Sequence, residues 1–599
     1  MSLKSGRSRS STGTPSILKK NSTLKKRLSE LVNASPKVRF QLPHAKKVQT
    51  ILSEYIQTND PKQYLSLVCF IRDAELPDKD ISDLLVEATE CISLLNQDLR
   101  LFVEALLSVR WTDRNETVVT EYQSFIVNLL SAHNYHTKIV IDSLVSQFLP
   151  GQTRVNGQLS QVITTNYVEL HKLINILLKV VPMSKDFLRQ SIIKYYPYYN
   201  KPLIFQQSYL KNLLSIIRYQ PSFRPDILHL IFSKLVIMDV NAPKEIIEQK
   251  MEDEDMFPMD DIKSVKTIQT TYTLVDRGEL GTSLDTCMDM VLDYILEECN
   301  DDQGNLDWSK TKNLYRDLVS VFDKVVLPTY GTHHVQFIMF VLCSLKPALT
   351  EAFLNHLWRN VCDLNVPVVL RQAAVSYVAS LVARALFVPL SMLKGTLQQM
   401  AEWIHSYAAH QDGLDSVNTD VRVHLVFYSV CQSLFYIVAF RHKDLVASRK
   451  DVAFLQSLQL GKMVTGRLNP LRVCQPAVVK NFAAVTRQYQ LAYCYTVIDH
   501  NERNNLPTIH QDGKGARLIS DNLLTDFFPF DPYILEQSSR KVQPHYRDYH
   551  EEMWSHSSEV DHKENQEDDD FLDNSHEFTS TNARNKFSYG SSPGFKFKA

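Results

Sequence analysis

Glycine is scarce in this sequence, and the glycine-rich loops that hold nucleotide phosphates are missing. Only 16 of the 599 residues are glycine, and neither G-x-x-x-x-G-K-[ST] nor G-x-G-x-x-G occurs. The metal-binding patterns H-E-x-x-H and D-x-D-x-D-G are absent as well. One G-x-S-x-G match, Gly590 to Gly594, lies in the polar tail without the preceding strand that a nucleophile elbow needs. These absences favour a binding protein without catalytic activity, metal or cofactor.

The sequence also lacks paired cysteines. Its nine cysteines lie between Cys69 and Cys494, and none forms a C-x-x-C pair. Most stand in apolar runs, such as Phe-Val-Leu-Cys at Cys343. We therefore predict buried, reduced thiols, which are typical of proteins of the cytosol or nucleus.

No apolar run is long enough to predict a membrane span. The most apolar one, Leu425 to Phe440, contains Ser429, Gln432 and Ser433 and falls short of the ~20 residues that a span needs. The N-terminus carries serine, lysine and arginine rather than an apolar signal-peptide core. The run at 425–440 is therefore predicted to be a buried helix.

The net charge of −2 conceals a strong asymmetry along the chain. Residues 1–50 contain twelve Lys or Arg and a single acid, whereas residues 559–577 contain nine Asp or Glu and a single base. The near-neutral balance argues against a general nucleic-acid binder and predicts little or no sequence-specific DNA binding. In the basic arm, a nuclear-import signal is predicted, and a merely solvated tail or non-specific nucleic-acid contact is the alternative. The import candidates are Lys19, Lys20, Lys25, Lys26 and Arg27.

Helical spacing of apolar residues dominates the chain after the arm. Asp226 is a predicted N-cap, and Leu228, Ile231, Leu235 and Met238 follow at the spacing of one helix face. The segments 335–345 and 425–440 are apolar on most sides, which is expected of helices covered on both flanks, as in stacked helix pairs. The prediction is an all-α, HEAT-like helical-repeat solenoid, although no strict sequence period is present.

The composition also predicts boundaries. Residues 1–48 are a predicted disordered basic arm, 49–555 the helical solenoid, and 556–599 a disordered acidic and polar tail. An acidic loop is predicted near 245–261, and a polar loop near 500–520.

Ordered sequence blocks from about residue 85 to about residue 570 resemble the RNA polymerase I-specific transcription initiation factor family, also called TIF-IA. Lys310 to Lys324 reads K-T-K-N-L-Y-R-D-L-V-S-V-F-D-K, and Arg371 to Ala374 reads R-Q-A-A. Phe527 to Pro532 reads F-F-P-F-D-P, which is the most distinctive block, and Glu567 to Leu572 reads E-D-D-D-F-L. No single block establishes the resemblance, but many blocks that occur in one order establish it together.

The resemblance implies a HEAT-repeat fold without catalysis or cofactor. It implies binding to RNA polymerase I near the stalk and dock region, which makes the enzyme initiation-competent. It further implies bridging to a promoter-bound selectivity or core factor, regulation by kinases, and location in the nucleus and nucleolus. The sequence departs from the family in its acidic loops, because 245–261 is short and no acidic run follows Pro150.

The resemblance also nominates site residues. Serines on the N-terminal helices are candidates for a polymerase-binding phospho-switch, with ordinary surface or capping serines as the alternative: Ser131, Ser143, Ser146 and Ser184. The aromatic block is a candidate strip for docking a promoter factor, with a segment strapped across the C-terminal helices as the alternative: Phe527, Phe528, Phe530 and Asp531. For the whole chain, the alternative function is a nuclear transport or scaffold protein, such as an importin-like carrier.

Overall fold

The computed structural model describes residues 47–74, 76–150, 161–242, 277–413, 420–503, 509–511, 517–519, 524 and 528–548. They form two compact units. The first contains the described residues up to Ser146 and from 161 to Ser191, and the second contains the remainder. The helical solenoid over 49–555 stays a prediction. The division after Ser191 falls inside a helix, where no change of composition marks it. Most of the predicted arm, the whole loop 245–261 and the whole tail 556–599 lie outside the described residues.

The first unit is helical throughout its described residues. Its α-helices are α1 Val48–Thr58, α2 Pro61–Asp73, α3 Asp78–Glu90, α4 Arg100–Leu107, α5 Glu116–Ala132, α6 Thr137–Ser146, α7 Gln161–Val180 and the first part of α8 Ser184–Lys194. Short 3-10 turns occur at Ile92–Leu94, Gln97–Leu99 and Asn134–His136.

Helices of the first unit contact the next helix, or the next but one, along the chain. The pairs α1–α3, α2–α4, α3–α5, α4–α6 and α5–α7 all pack together. Local chemistry sets the ends of these helices: the Asn115 side chain accepts from the Val118 amide at 3.0 Å and so caps α5. Trp111, just before that cap, is buried and stacks on Tyr122 with ring centroids 4.8 Å apart. This neighbour-to-neighbour packing is the pattern of a helical-repeat fold.

The second unit carries the longer series of helices. Its α-helices are the end of α8, α9 Leu203–Tyr219, α10 Arg224–Asn241, α11 Arg277–Cys299, α12 Trp308–Val321, α13 Phe337–Ser344, α14 Pro347–Cys362, α15 Val368–Arg384, α16 Leu390–Asp412, α17 Leu425–Phe440, α18 His442–Leu445, α19 Arg449–Ser457, α20 Leu460–Val464, α21 Pro476–Gln488, α22 Tyr495–Arg503 and α23 Glu536–Val542. A π-helical turn spans Phe322–Val326, and 3-10 turns span Pro221–Phe223, Val421–Val423, Pro470–Arg472 and Gln543–His545.

The same packing pattern continues through the second unit. Contacts join α9–α11, α10–α12, α11–α13, α13–α14, α14–α15, α15–α17 and α17–α21. A helix that is apolar on all sides has to be covered by other elements. In α17 every residue from Val426 to Phe440 is buried, beneath α15, α16 and α21. The predicted all-α helical-repeat fold and the predicted buried helix at 425–440 are confirmed.

Two local predictions need correction. The helix assigned to an Asp226 cap begins at Arg224, so Asp226 lies inside the first turn next to Pro225; its apolar set is nevertheless buried as predicted. Within the predicted polar loop near 500–520, residues up to Arg503 are helical, and Ile509–Gln511 pairs antiparallel with Arg517–Ile519 as β1 and β2. Short polar strands lack the apolar alternation that would have revealed this hairpin.

The cysteines and apolar helices agree with a folded interior. All nine cysteines are free thiols, and seven are buried, whereas Cys69 and Cys362 are exposed. Burial raises the pKa of the Cys343 and Cys431 thiols, which keeps them protonated. None of the helices in the described part of the chain is long and apolar enough to cross a lipid bilayer.

Candidate protein-binding surfaces

Ser184 is a buried residue rather than part of a surface. It is 0% exposed at the start of α8, where its hydroxyl oxygen lies 3.1 Å from the Leu177 carbonyl oxygen and 2.5 Å from that of Val181. The hydroxyl therefore holds the end of α7 against the first turn of α8. The prediction of an exposed, phosphate-accepting serine at this corner is wrong for Ser184, because its neighbours cover it and use its donor.

Ser184→Glu is therefore expected to lower the unfolding free energy of the first unit by ~3 kcal/mol or more, because it buries an unpaired carboxylate. Ser146→Glu, at an exposed position of α6, is the matched control. It is expected to change the unfolding free energy by less than about 1 kcal/mol. Thermal melts of both variants check this. Equal melting temperatures for Ser184→Glu and wild type would contradict the burial.

The remaining serine candidates differ in exposure. Ser131 and Ser146 are exposed, and their hydroxyls donate to carbonyls of their own helices, Val127 and Ser143, each at 2.7 Å. Ser143 is half-buried and donates to the Leu107 carbonyl at 3.2 Å, which ties α6 to the end of α4. Only Ser131 and Ser146 are thus open to modification without unfolding, and they lie on two different helices.

An exposed apolar stripe on α7 was missed by sequence reasoning. Val168, Ile176, Val180 and Met183 are each 39–49% exposed, while Leu173 and its neighbours on the other side of the helix are buried. Spacings of eight and four residues place the first three on one side of the helix. The signal available in the sequence was that α7 is apolar on two sides, which exceeds what one buried face requires. We call these four residues the α7 stripe.

The aromatic block lies inside the second unit. Phe528 and Phe530 are 5% and 0% exposed, and Phe527 lies outside the described residues. The Phe530 ring centroid is 5.4 Å from that of Phe337 and 5.2 Å from that of Phe340, both on α13. We call residues 528–548 the C-terminal strap. For Phe528 and Phe530 the docking-strip hypothesis is wrong, and the alternative of a strapped segment is confirmed.

Backbone hydrogen bonds fix the C-terminal strap to distant helices. The Phe530 amide donates to Ser380 Oγ on α15 at 2.9 Å, and Gln336 Nε2 donates to the Pro529 carbonyl at 2.5 Å. Further along, the Arg547 amide donates to the Arg384 carbonyl at 2.7 Å. These bonds satisfy polar backbone groups that the strap buries.

Asp531, the fourth docking candidate, is also buried, at 8% exposure. It lies near the guanidinium of Arg384, which is 1% exposed and stands 4.8 Å from the Phe440 ring centroid. Burial by itself would lower the pKa of Arg384, but Tyr436, Tyr546 and Asp531 raise it above its ordinary value. Asp531 is therefore placed to balance a buried charge rather than to meet a partner.

The strap contains a short helix, α23, that is anchored on α11. Asp285 Oδ2 accepts from the Gln537 amide at 2.7 Å, and Asp285 Oδ1 accepts from the Ser538 amide at 2.9 Å, so this carboxylate caps α23 from outside. Lys541 pairs with Asp293 at 2.9 Å and also contacts Asp289. The strap thus joins α11, α13 and α15 in one unit.

A buried Asp–His pair positions the segment on which the strap rests. Asp239 on α10 accepts from the amides of His333, His334 and Val335 at 3.0, 2.9 and 3.1 Å. His334 Nδ1 lies 2.8 Å from Asp239 Oδ1, and both side chains are 0% exposed. The His334 ring meets the strap at Tyr533, with centroids 5.3 Å apart. His334 is therefore a buried residue of the core and not a surface histidine.

The described residues contain no arrangement suited to a metal. No group of three or more His, Cys, Asp or Glu side chains within those ranges is placed to hold an ion. The nuclear-import candidates from Lys19 to Arg27 lie outside the described residues.

Comparison with known proteins identifies the family. The model of the family described as RNA polymerase I specific transcription initiation factor RRN3 matches residues 42–553. The mouse RNA polymerase I-specific transcription initiation factor RRN3 is 33% identical over 91% of this chain and 87% of its own length. The fission yeast factor rrn3, from Schizosaccharomyces pombe, is 28% identical over 81% of this chain and 82% of its own.

A solved structure shares the fold. The crystal structure of RNA polymerase I transcription initiation factor Rrn3 superposes with a TM-score of 0.65 at 21% identity, covering 84% of this chain and 97% of that one. Together with the family match over most of the sequence, this agrees with the helical-repeat architecture described above. The chain belongs to the RRN3 family of RNA polymerase I-specific transcription initiation factors.

Proposed function

We propose that this protein binds RNA polymerase I near its stalk and dock region and makes the polymerase competent to initiate. In this proposal it has no catalytic activity or cofactor, and it bridges the polymerase to a promoter-bound selectivity or core factor with little or no sequence-specific DNA binding. Family membership is the observation that carries the proposal. The transport-carrier alternative has no comparable observation in its favour.

The α7 stripe is the surface proposed to meet the polymerase. Val168, Ile176 and Val180 are exposed on α7, and Met183 is exposed three residues after the helix ends. Lys172, Lys179 and Lys185 are exposed among them, and Lys172 lies between Val168 and Ile176 on the same face. Exposed apolar residues interspersed with cations are typical of a protein interface, in which the apolar residues supply most of the affinity. The family resemblance nominated the region around Ser184 for polymerase binding. Because Ser184 is buried, we assign this contact to its exposed neighbours Met183 and Lys185.

Met183→Glu is expected to weaken binding to purified RNA polymerase I by about tenfold or more, because it places a negative charge within an apolar contact. Since Met183 is 43% exposed, folding should be preserved. Affinity pull-down with quantified polymerase, alongside a thermal melt, measures both quantities. Lys185→Glu is expected to act in the same direction through the charged rim.

The matched control is Val369→Glu, which also converts an exposed apolar residue, 72% exposed on α15, into an acid. It should leave polymerase recovery unchanged. Full recovery with Met183→Glu would remove the α7 stripe from the interface. Loss of recovery with both variants would indicate a non-specific effect of added negative charge.

Regulation and location form the remaining part of the proposal. Exposed Ser131 and Ser146 are the proposed targets of regulatory kinases, because phosphate there adds about −2 charge without being buried. The basic cluster at Lys19, Lys20, Lys25, Lys26 and Arg27 is proposed to direct the protein to the nucleus, and to the nucleolus where it would act, with some shuttling through the cytoplasm.

A further inference from the structure

A pocket of about 340 Å³ opens beside Tyr546, Arg547 and Asp548, the last described residues of the C-terminal strap. One wall is formed by Arg441, Lys443 and Asp444, at and after the end of α17. The facing wall is formed by Arg547 and Asp548 at the end of the strap. None of the site candidates from the sequence lines this pocket.

The two arginines of this pocket share a single carboxylate. Arg441 Nε lies 2.6 Å from Asp444 Oδ2, and Arg547 Nη1 lies 3.2 Å from the same oxygen. Arg441 also donates to the Val382 carbonyl at 2.8 Å, which holds it in place. With Lys443 and Asp548 included, the walls carry three cations and two carboxylates. One positive charge is therefore left over.

Arg547 supplies an unused donor. Its Nε is buried and has no hydrogen-bond acceptor among the described residues, although a buried guanidinium N–H is ordinarily paired. Burial lowers the pKa of Arg547, and the neighbouring charge of Arg441 lowers it further. The Asp444 carboxylate raises this pKa, but by less than the two lowering effects together, so the positive charge of Arg547 is incompletely balanced where it stands.

Lys443 provides a further positive charge at the rim of the pocket. Its side chain is exposed, and it forms no ion pair within the part of the chain that the structure describes. An arginine Nε with its neighbouring N–H groups presents the planar fork that suits a carboxylate or phosphate, and a lysine adds a mobile point charge. A small oxyanion that accepts from Arg547 and approaches Lys443 would satisfy the donor and neutralise the excess charge.

We propose that this pocket is an oxyanion-binding site that takes a carboxylate or phosphate group on Arg547 and Lys443. Two sources offer this chemistry. One is the chain itself, because Glu551 and Glu552 follow Asp548 by three and four residues. The other is a soluble phosphate group. Either occupant would tie the end of the C-terminal strap to α18 and so stabilise the second unit.

The test uses the full-length protein and inorganic phosphate as the probe. Phosphate is titrated by calorimetry and by thermal melt, against chloride at matched ionic strength. A rise in melting temperature with phosphate, absent with chloride, is expected for wild type. Arg547→Gln should weaken phosphate binding by about tenfold or more, since it removes a charge-assisted donor.

The Lys443→Gln variant keeps the proposal testable if Arg547→Gln fails to fold. Lys443 is exposed and forms no ion pair among the described residues, so its replacement should not disturb folding. The variant should weaken phosphate binding. Its melting temperature without phosphate should equal that of wild type if the occupant is a soluble phosphate group, and should fall if the occupant is Glu551 or Glu552. Lys450→Gln, an exposed lysine on α19 that does not line the pocket, should bind like wild type.

The double variant Glu551→Gln, Glu552→Gln separates the two sources. Tighter phosphate binding than in wild type would assign the site to the chain's own carboxylates, which compete with phosphate. Unchanged phosphate binding would assign it to a soluble phosphate group. The proposal is overturned if phosphate acts no differently from chloride in both wild type and this variant, or if Lys443→Gln and Arg547→Gln bind phosphate as tightly as wild type.

Discussion

Asp239→Ala is expected to lower the unfolding free energy of the second unit by about 3–5 kcal/mol, because it breaks a buried, hydrogen-bonded pair by removing one partner. Three backbone amides, from His333 to Val335, and the His334 ring would lose their acceptor at once. The amides of His334 and Val335 cannot turn to solvent instead, since both residues are 0% exposed. The loss should appear as a lower denaturant midpoint for the second unit.

Asp323→Ala provides a matched control on the same unit. Asp323 also faces a histidine, with His356 Nε2 2.9 Å from Asp323 Oδ1, but these side chains are 34% and 24% exposed. Water replaces the lost partner there, so the expected loss is below about 1 kcal/mol. Equal losses in the two variants would mean that burial does not set the strength of the Asp239 pair.

The Asp239 pair also predicts a direction of pH dependence. Burial alone would raise the pKa of Asp239, but His334 and the backbone amides of His334 and Val335 outweigh it and hold the pKa below its ordinary value. Since the folded pKa is the lower one, the stabilisation is complete above about pH 4, the ordinary range of an aspartate, and is lost as the pH falls through the folded pKa. Wild type should therefore lose more stability on acidification below about pH 4 than Asp239→Asn does.

Periodicity and hydrophobicity were enough to predict the helices that are covered on all sides. The segment 425–440 is apolar at nearly every position, so no arrangement except burial was consistent with it, and α17 is buried. The apolar set from Leu228 to Met238 likewise predicted one buried face of α10. These features depend on neighbours along the chain, which a single sequence displays directly.

Features that depend on distant residues could not be predicted in this way. Asp239 and His334 are 95 residues apart in the sequence, and Ser380 and Phe530 are 150 residues apart. In neither pair does the sequence around one residue indicate the other. Ser184 was nominated by the family resemblance, but its side chain turns inward onto two carbonyls, which no residue beside it in the sequence indicates. The aromatic block left docking and strapping open as alternatives until its contacts were known.

Phe530→Ala is expected to lower the unfolding free energy of the second unit by about 3–5 kcal/mol, the usual result of emptying a fully buried phenylalanine site. The Phe530 side chain is 0% exposed and lies against Phe337, Phe340 and Tyr377. The rigid helices around it cannot collapse into the space, because α13 and α15 are themselves packed on α14. Its carbonyl also accepts from Tyr546 Oη at 3.1 Å, so the end of the strap should loosen too.

Thermal melts and limited proteolysis of full-length protein would measure this change, with cleavage within residues 528–548 rising as the strap opens. Tyr493→Ala is the matched control, because it removes an aromatic ring that is 84% exposed and should change stability by no more than about 0.5 kcal/mol. A docking role for Phe530 predicts the opposite pattern. In that case the melting temperature would stay at the wild-type value while binding to the promoter factor is lost, and the assignment of Phe530 to the strap would fail.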